Sequence, residues 1–273
     1  MFRLLKTAPP TAWFGMIVIL AYIVIAIFAP AIAPYGETDI VGPEYDLWSE
    51  AHPLGTDNLG RDMMTRLIYG ARNTVGIAFV TTIIAFFLGG ALGLLAATVG
   101  GWADQLLSRL VDVLMAIPQL IFALLILTIV GTSIPAVILV IAVLDSTRVF
   151  RLGRAVAMNI VVMDFVEAAK LRGEGLWWII RAEILPNAMA PLVAEFGLRF
   201  CFVFLTISAL SFLGLGIQPP TADWGSMVRD NATLITFGDV TPLLPAAAIA
   251  LLTVAVNFVV DWFLHKTSGL KDV

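Results

Sequence analysis

The sequence predicts an all-α integral membrane protein of about six transmembrane helices, with a short cytoplasmic helix between the fourth and the fifth. The first observation is composition: 60% of the 273 residues are hydrophobic and 13% are charged, whereas soluble domains are nearer half apolar and a quarter charged. The second is a set of long apolar runs, at residues 13–32, 74–99, 110–130, 134–144, 191–215 and 243–264. The third is the distribution of lysine and arginine, which indicates the number and direction of the spans.

The first run holds about 20 residues without a charge, which is the length needed to cross a bilayer. Its end, Ala31-Ile32-Ala33, imitates a signal-peptidase site, but the run is too long for a signal peptide and Pro34 follows at once. It is therefore predicted to be a retained first span. The fourth run is the weakest, because Asp145 and Arg148 interrupt it, so that hydropathy alone predicts five or six spans.

The positions of the basic residues favour six spans with both termini in the cytoplasm. In that arrangement eleven of the sixteen lysines and arginines face the cytoplasm. They are Arg3, Lys6, Arg109, Arg148, Arg151, Arg154, Lys170, Arg172, Arg181, Lys266 and Lys271. The outward-facing ones are Arg61, Arg66, Arg72 and Arg229. Arg199 lies within a span.

The chain divides into a short lead, an anchor, an outer segment and a core. The predicted parts are a cytoplasmic lead at 1–12, the first span at 13–33, an extracytoplasmic segment at 34–73, and a core of five spans at 74–273 that contains the loop 155–187. Within the core, a short inner loop at 102–109 joins two spans, and Pro118 is expected to kink the third span. Gly89, Gly93 and Ala97 form a smooth stripe on the second span, which indicates close packing against another helix.

The sequence carries no arrangement typical of catalysis, of a metal cluster or of nucleic-acid binding. Cys201 is the single cysteine and lies in an apolar run, so it predicts a buried small side chain instead of a disulfide or a metal ligand. His52 and His265 are too far apart to indicate a metal site. A P-loop requires glycine before its lysine, and none of the four lysines follows a glycine. Energy must therefore come from a partner or from an ion gradient.

The segment between the fourth and fifth spans predicts a short amphipathic helix that projects into the cytoplasm. Asp164 can cap this helix, with Glu167 three residues later as in a capping box, and Gly173 can end it. The residues at helical spacing along it are Phe165, Ala168, Ala169 and Arg172. Pro186 is expected to break the chain before the fifth span begins. A short rigid helix of this kind suits docking into a groove of another protein.

Several blocks of the sequence resemble prokaryotic ABC importer permeases. Glu167-Ala168-Ala169, followed by Gly173 and Leu185-Pro186, resembles the EAA loop of that family, although Glu183 stands where the pattern usually has isoleucine. Further blocks are similar to the C permease of the dipeptide and oligopeptide branch. They are His52 to Asp62, Arg109 to Asp112 with Pro118, Ser211 to Gly216, and Gln218 to Pro220 with Trp224-Gly225. The blocks occur in order over nearly the whole chain.

The resemblance implies a permease subunit of the bacterial inner membrane that does not itself hydrolyse ATP. Besides membrane lipid, it implies a second homologous permease, two cytoplasmic ATPase subunits that hold ATP and Mg²⁺, and an extracytoplasmic substrate-binding protein. In the family the EAA helix is the coupling helix, seated in a groove of the ATPase. Matching positions carry that role onto Glu167, Ala168, Ala169, Arg172 and Gly173. The implied substrate is a short peptide, with an opine, glutathione, a nickel chelate or a sugar as the alternative.

Ionisable side chains within the spans require an explanation, because each costs about 2.5–3.5 kcal/mol to insert. Glu195 and Arg199 are four residues apart and can pair along one face of the fifth span. Asp145 and Arg148 are three residues apart near the inner end of the fourth span. Both sets have two interpretations, a neutralised pair at a helix contact or a polar patch on the translocation path. The sequence leaves both open.

Two other functions stay open at this stage. An ion-driven secondary transporter would use buried acids for coupling, but such carriers are often built from internal repeats, and the sequence shows none. A membrane scaffold would use the loop at 151–186 only to recruit a partner. The EAA loop favours the ABC importer over both, and transport measured with and without ATPase subunits distinguishes the three.

Overall fold

The computed structural model describes residues 8–267, and over this part of the chain the regular secondary structure is helical, with two isolated antiparallel bridges in the loops. Four helical stretches are long and apolar enough to cross a membrane, or five if one sharply bent pair counts as a single span. The predicted all-α membrane class is therefore confirmed. The predicted cytoplasmic placement of Arg3, Lys6 and Lys271 lies outside the described residues.

The helices follow one another with few long connections. Within the described residues the α-helices are α1 (Pro10–Ile32), α2 (Met63–Gly70), α3 (Gly76–Val99), α4 (Gly101–Ala116), α5 (Gln119–Val130), α6 (Ile134–Val161), α7 (Asp164–Leu171), α8 (Leu176–Trp178), α9 (Leu185–Phe212), α10 (Trp224–Asp230) and α11 (Leu243–Thr267), and a 3₁₀ helix, Ala232–Phe237, follows α10. One π-helical turn, Ala71–Val75, joins α2 to α3, and a second, Ile179–Ile184, joins α8 to α9. Met63–Val99 and Leu176–Phe212 are thus continuous stretches of 37 residues each.

The candidate spans are α1, the α2–α3 stretch, the α8–α9 stretch and α11. The bent pair is α4 and α5, whose axes differ by 88°. α6 has 28 residues, or about 42 Å at 1.5 Å per residue, which is enough to cross a bilayer. It is not among the candidate spans and carries four charged side chains. The number of six crossings therefore stays a prediction.

The directions of the helices agree with a chain that crosses the membrane alternately in one direction and then in the other. The backbones of α3 and α6 run parallel, since Gly89 faces Ser146, and Gly93, one turn later, faces Phe150 and Arg154. Two parallel neighbours require the chain to return between them, and the α4–α5 pair connects the end of α3 to the start of α6. The close packing predicted at Gly89 and Gly93 is confirmed, because a Cβ on either would collide with the α6 backbone.

The bend between α4 and α5 confirms the kink expected at Pro118 and corrects two other expectations. Residues 102–109 belong to helix α4 instead of a loop, and the third span predicted at 110–130 is two helices at nearly a right angle. Ile117 has an extended backbone (φ −94°, ψ 132°), because the ring of the following proline disfavours the helical conformation there. The apolar composition continues through the break, so hydropathy does not detect it.

Pro186 does not break the chain, contrary to the expectation from sequence. The helical stretch runs from Leu176 to Phe212, and Pro186 is near the start of α9, directly after the π-helical turn. In that turn the N–H of Leu185 donates to the carbonyl of Ile180, five residues back. At Pro186 the backbone hydrogen bonds change from the π-helical to the α-helical pattern. Because proline has no N–H to donate at this change, its presence does not interrupt the helix.

The bundle has two differently built ends. One end carries α7 and is called the α7 end. The opposite end is formed by residues 34–62 and 213–242, which contact each other where Trp48 Nε1 donates to Thr241 Oγ1 at 3.1 Å. At this opposite end Asp223 is wholly buried, and desolvation raises the pKa of its carboxyl group above the usual range.

Candidate functional site

Helix α7 begins one residue earlier than its sequence suggests. Met163, with an extended backbone (φ −78°, ψ 147°), occupies the N-cap, and Asp164 is already helical. The capping box predicted from Asp164 is therefore wrong. The carboxylates of Asp164 and Glu167 instead lie in the first turn, where the helix dipole favours negative charge.

Gly173 ends α7 as predicted. Its φ of +83° is a left-handed conformation that glycine adopts without a Cβ penalty. Its N–H donates to the carbonyl of Lys170 at 3.0 Å, and the N–H of Glu174 donates to that of Ala169 at 3.2 Å. These two bonds form a Schellman motif, which satisfies the last carbonyls of the helix and turns the chain sharply.

The two faces of α7 differ in exposure. Val166 and Ala169 are 0% exposed, whereas Phe165 is 41% and Leu171 83% exposed. The other exposed residues of the helix and its end include Glu167, Ala168, Lys170, Arg172 and Gly173. The resemblance assigns the docking role to five residues, and four of them are exposed. Ala169 is the one that is buried, so it supports α7 from inside and does not face a partner.

The inward face of α7 packs on two long helical stretches at once. Val166 and Ala169 belong to one apolar cluster with residues from the end of α6 and from the beginning of the α8–α9 stretch. These residues include Ala157, Ile160, Ile179, Ile180 and Ile184. Because a close-packed interior transmits displacement, a movement of α7 is expected to move the adjoining ends of α6 and α9.

Arg172 is held loosely at the end of α7. Its guanidinium nitrogens lie 3.8 Å from a Glu174 oxygen and 3.9 Å from a Glu183 oxygen. Its central carbon is 5.7 Å from the ring centroid of Trp178. These contacts are long and the side chain is half exposed, so the ion pairs contribute little to stability and leave the charge available to a partner.

A second group of predicted residues meets between α6 and α9. Arg199 Nε is 2.7 Å from Glu195 Oε1 on the same helix, and Arg199 Nη1 is 3.7 Å from Asp145 Oδ1 on α6. Arg199 and Asp145 are both buried. The pairing predicted for Glu195 and Arg199 is confirmed. The structure adds Asp145, so that two acids share one guanidinium; these three residues are called the α6–α9 cluster.

The contacts in the α6–α9 cluster are close but poorly aligned. Among the described residues, no hydrogen-bond partner is found for Asp145 Oδ2 or for Nε and Nη1 of Arg199. The Arg199–Glu195 approach is therefore an ion pair by distance that lacks the angle of a hydrogen bond. The guanidinium also lies over the ring of Phe202, 4.6 Å from its centroid. With both acids ionised the cluster carries a net negative charge that it does not compensate.

Asp145 pairs across to Arg199 on α9, and among the described residues it forms no salt bridge along α6 with Arg148. Asp145 is buried, whereas the side chain of Arg148 is exposed. Arg148 lines a cavity of about 100 Å³ at the bend between α4 and α5, together with Pro118, Gln119 and Thr147. Arg148 therefore acts on Asp145 through its charge, while the nearest ion-pair partner of Asp145 among the described residues is Arg199.

The α6–α9 cluster and α7 are connected by the same two helices. Fifteen residues separate Ile160 from Asp145 along α6, and fifteen separate Ile184 from Arg199 along the α8–α9 stretch. Each separation corresponds to a rise of about 22 Å. A displacement of α7 relative to the bundle can therefore reach both sides of the cluster.

A third polar cluster, which sequence analysis missed, lies at the opposite end. Asp57 accepts hydrogen bonds from the N–H groups of Leu59 and Arg61 at 2.9 and 3.0 Å, and from Arg61 Nε at 2.8 Å. Arg61 Nη2 is 2.7 Å and Arg66 Nε 3.2 Å from the same carboxylate. Arg66 Nη1 also donates to two carbonyl groups of neighbouring loops. Asp57, Arg61 and Arg66 are called the outer cluster.

The backbone around the outer cluster explains how it forms. Gly55 and Gly60 have φ of +71° and +74°, and a Cβ on either would collide with a neighbouring backbone carbonyl. The tight loop between them and α2 brings Asp57 beside Arg61. The sequence places the two arginines outside the membrane without indicating their pairing. The glycines on either side of Asp57 are the signal that could have indicated a compact loop.

The described residues contain no group of three or more side chains that could hold a metal ion. Cys201 is a free, buried thiol, as its apolar surroundings predict.

Two protein-family models match this chain. Residues 89–266 match the family described as binding-protein-dependent transport system inner membrane component, and residues 8–49 match the N-terminal TM domain of oligopeptide transport permease C. The chain is 36% identical to the dipeptide transport system permease protein DppC of Alkalihalophilus pseudofirmus, over 94% of this chain and 83% of that one. It is 31% identical to the glutathione transport system permease protein GsiD of Pectobacterium atrosepticum, over 93% of this chain and 83% of that one.

A solved structure is also similar. It is the crystal structure of an amino acid ABC transporter with histidines, with a TM-score of 0.55 and 20% identity, covering 74% of this chain and 94% of that chain. At this level of identity the likeness concerns the fold alone. The family match begins within α3 and includes α7 and both helices of the α6–α9 cluster.

Proposed function

This chain belongs to the family of inner membrane components of binding-protein-dependent transport systems, and we propose that it forms half of the path by which an ATP-driven importer takes up short peptides. It is a multi-pass transport subunit of the inner membrane. A system of this kind includes an ATPase and a substrate-binding protein. In the finer assignment the chain pairs with a second, homologous permease. Two cytoplasmic ATPase subunits hold ATP and Mg²⁺, and the binding protein docks on the other side of the membrane.

The contrast between the two faces of α7 is the observation that carries the proposal. The inward face is buried against α6 and α9, while Leu171 exposes 83% of its surface. An apolar side chain so exposed, on a helix fixed at both ends, supports docking into a groove of a partner. In the proposal the partner is the ATPase and α7 is the coupling helix. The contact residues are Leu171 together with Glu167, Ala168, Arg172 and Gly173, and Ala169 supports the helix from inside.

The α6–α9 cluster is the element that responds when α7 moves. ATP-driven closure of the two ATPase subunits displaces α7 and, through its buried face, the ends of α6 and α9. Asp145 is on α6 and Arg199 is on α9, so a shift of one helix past the other changes which acid the guanidinium approaches. A cluster with unsatisfied groups has no single optimal arrangement, which suits an element that exchanges between two states.

Short peptides are the proposed substrates for two reasons. A relative that matches 94% of this chain is named for dipeptide transport. In addition, Asp145 and Glu195 can meet an amino group, and Arg148 can meet a carboxylate, so the path offers both charges that a peptide carries at its ends. Glutathione, named for a second relative, carries the same kinds of group and is the alternative substrate.

Co-purification of the ATPase tests the coupling role. The tagged chain is expressed with the other subunits of its importer, and the recovery of ATPase is compared for wild type, Leu171→Glu and Ala168→Trp. We expect each variant to lower the recovery about tenfold or more, because a charge or a bulky ring at the centre of the contact disturbs docking. Phe237→Glu is the matched control, since this side chain is 84% exposed but lies at the opposite end.

Equal ATPase recovery for wild type and both α7 variants, with all proteins monodisperse in detergent, would remove the coupling role. The substrate is tested separately, by uptake of labelled dipeptide and labelled glutathione into vesicles that contain the whole importer and its binding protein. A complex that hydrolyses ATP but takes up neither solute would refute the substrate assignment and leave the coupling role intact.

A further inference from the structure

A long apolar groove lies between α3 and the α8–α9 stretch at the α7 end. Its volume is about 670 Å³, within the range of about 300–1,000 Å³ that is usual for small-molecule sites. Within the described part of the chain its lining residues are apolar, and they include Phe86, Gly90, Leu94, Trp177, Ile180 and Phe196. Neither the proposed translocation path nor the proposed ATPase contact uses this groove.

We propose that the groove binds one acyl chain of a phospholipid with an anionic headgroup, in the leaflet on the side of α7. Three features of the groove support this assignment. They are its depth, the residues at its mouth and the glycine that forms its floor.

The groove is about as deep as one leaflet. Along α3 its lining extends from Phe86 to Leu95, which is nine residues or about 14 Å, close to half of the roughly 30 Å hydrocarbon core. The rings of Phe86 and Phe196 close the deep end, with centroids 5.1 Å apart. The other end lies beside Trp177, towards α7. The shape therefore fits a chain that enters from the membrane surface and ends near mid-bilayer.

The mouth of the groove has the residues expected at the level of lipid headgroups. Trp177 lines the groove and is 73% exposed, and tryptophan is favoured at the boundary between membrane and water. Arg181 lies between two lining residues, four positions after Trp177 and four before Leu185. Its side chain is exposed. A guanidinium at this place complements the phosphate of an anionic lipid.

A glycine forms the floor of the groove. Gly90 is buried, yet apart from its chain neighbours and the backbone of its own helix no atom of the described residues lies within 4 Å of the position that its Cβ would take. Gly89 and Gly93 on the same helix differ, because a Cβ on either would collide with the α6 backbone. The space beside Gly90 is therefore not needed for helix packing and is open to a ligand.

The groove adjoins the support of α7. Ile180 lines the groove and also belongs to the apolar cluster that holds Val166 and Ala169. A bound acyl chain therefore packs against a side chain that helps to position α7. An effect of lipid on coupling would rest on the proposed function of α7, whereas the binding of lipid in the groove does not.

Photolabelling with a lipid tests the site. The purified full-length chain, with the subunits that copurify with it, is placed in phosphatidylcholine nanodiscs that contain phosphatidylglycerol with a photoreactive acyl chain. We expect label on residues 86–95 and 180–196, and we expect unlabelled phosphatidylglycerol to compete with it. Gly90→Leu and Ala91→Phe each fill the groove and should reduce this label to background. Gly76→Leu is the control, because it makes the same change on the same helix at a glycine whose Cβ position is also open within the described chain. It should leave the amount of label in the groove unchanged.

The headgroup is tested with a second pair of variants. Arg181→Gln should reduce the preference for phosphatidylglycerol over phosphatidylcholine about fivefold, the effect of one basic residue near an anionic surface. Arg109→Gln changes another exposed arginine, on α4, and should keep the preference. Equal labelling of wild type and both groove-filling variants, or labelling without headgroup preference, would show contact with bulk lipid only and overturn the proposal. Crosslinks from the groove to a second permease subunit would also overturn it, by showing a protein interface.

Discussion

The outer cluster and the α6–α9 cluster use the same types of residue in different ways. In the outer cluster, Asp57 meets two arginines and two backbone N–H groups, and its Oδ2 is 2.7 Å from Arg61. In the α6–α9 cluster, Arg199 lies between two acids, and polar atoms of Asp145 and Arg199 lack hydrogen-bond partners within the described chain. Asp57 and Asp145 are 2% and 1% exposed, so burial does not distinguish the clusters.

The difference lies in how completely the charges are satisfied. A buried ion pair is stable only where good geometry and further hydrogen bonds offset desolvation. The outer cluster meets this condition: Arg66 Nε lacks an aligned partner, but its Nη1 donates to two carbonyls. This fuller pairing indicates a structural role in the loop before α2. The α6–α9 cluster does not meet this condition. Because charged side chains within a membrane span are costly to insert, we expect these to be retained for a function.

Asp57→Asn should have the largest effect on folding. It removes the carboxylate that the buried Arg61 and Arg66 share, so we expect the free energy of unfolding to fall by about 3–5 kcal/mol. The measurement is the melting temperature and yield of the chain in detergent. Asp39→Asn, at an exposed acid of the same segment, is the control and should change neither. A melting temperature for Asp57→Asn equal to that of wild type would contradict the structural role of the outer cluster.

Arg199→Gln should have the next largest effect, because it leaves the buried Asp145 and the partly buried Glu195 as like charges without their shared cation. We expect the free energy of unfolding to fall by about 3 kcal/mol. Adding Asp145→Asn removes one of these charges and should restore part of the loss, which a double-mutant cycle measures. Additive losses from the two substitutions would mean that the three residues do not act as one cluster.

Asp145→Asn alone should have the smallest effect on folding. It leaves the balanced pair of Glu195 and Arg199 and removes an acid with an unsatisfied oxygen, so we expect a change below about 1 kcal/mol. ATP-dependent uptake should nevertheless fall, while the amount of bound ATPase stays constant. A loss of stability as large as that of Asp57→Asn would show that the charges of the two clusters contribute equally to folding, and would contradict the difference described above. Unchanged uptake would assign the α6–α9 cluster a purely structural role.

Sequence analysis succeeded where a feature depends on local pattern. The membrane class, the end of α7 at Gly173 and the pairing of Glu195 with Arg199 each follow from composition or from spacing within one or two turns. It failed where the backbone conformation changes without a change in the hydropathy of the sequence. The break at Ile117, the helix through 102–109 and the passage of the helix through Pro186 are such places.

The sequence by itself determined the class of this protein, its resemblance to a family of permeases, and which residues share a helical face. Only the tertiary structure decided that Asp145 meets Arg199, that Ala169 faces inward, and that Asp57 is fully paired. The physical reason is distance along the chain. Partners within about one turn are set by the helical period, whereas contacts between α6 and α9, or between α7 and the bundle, depend on how the helices pack.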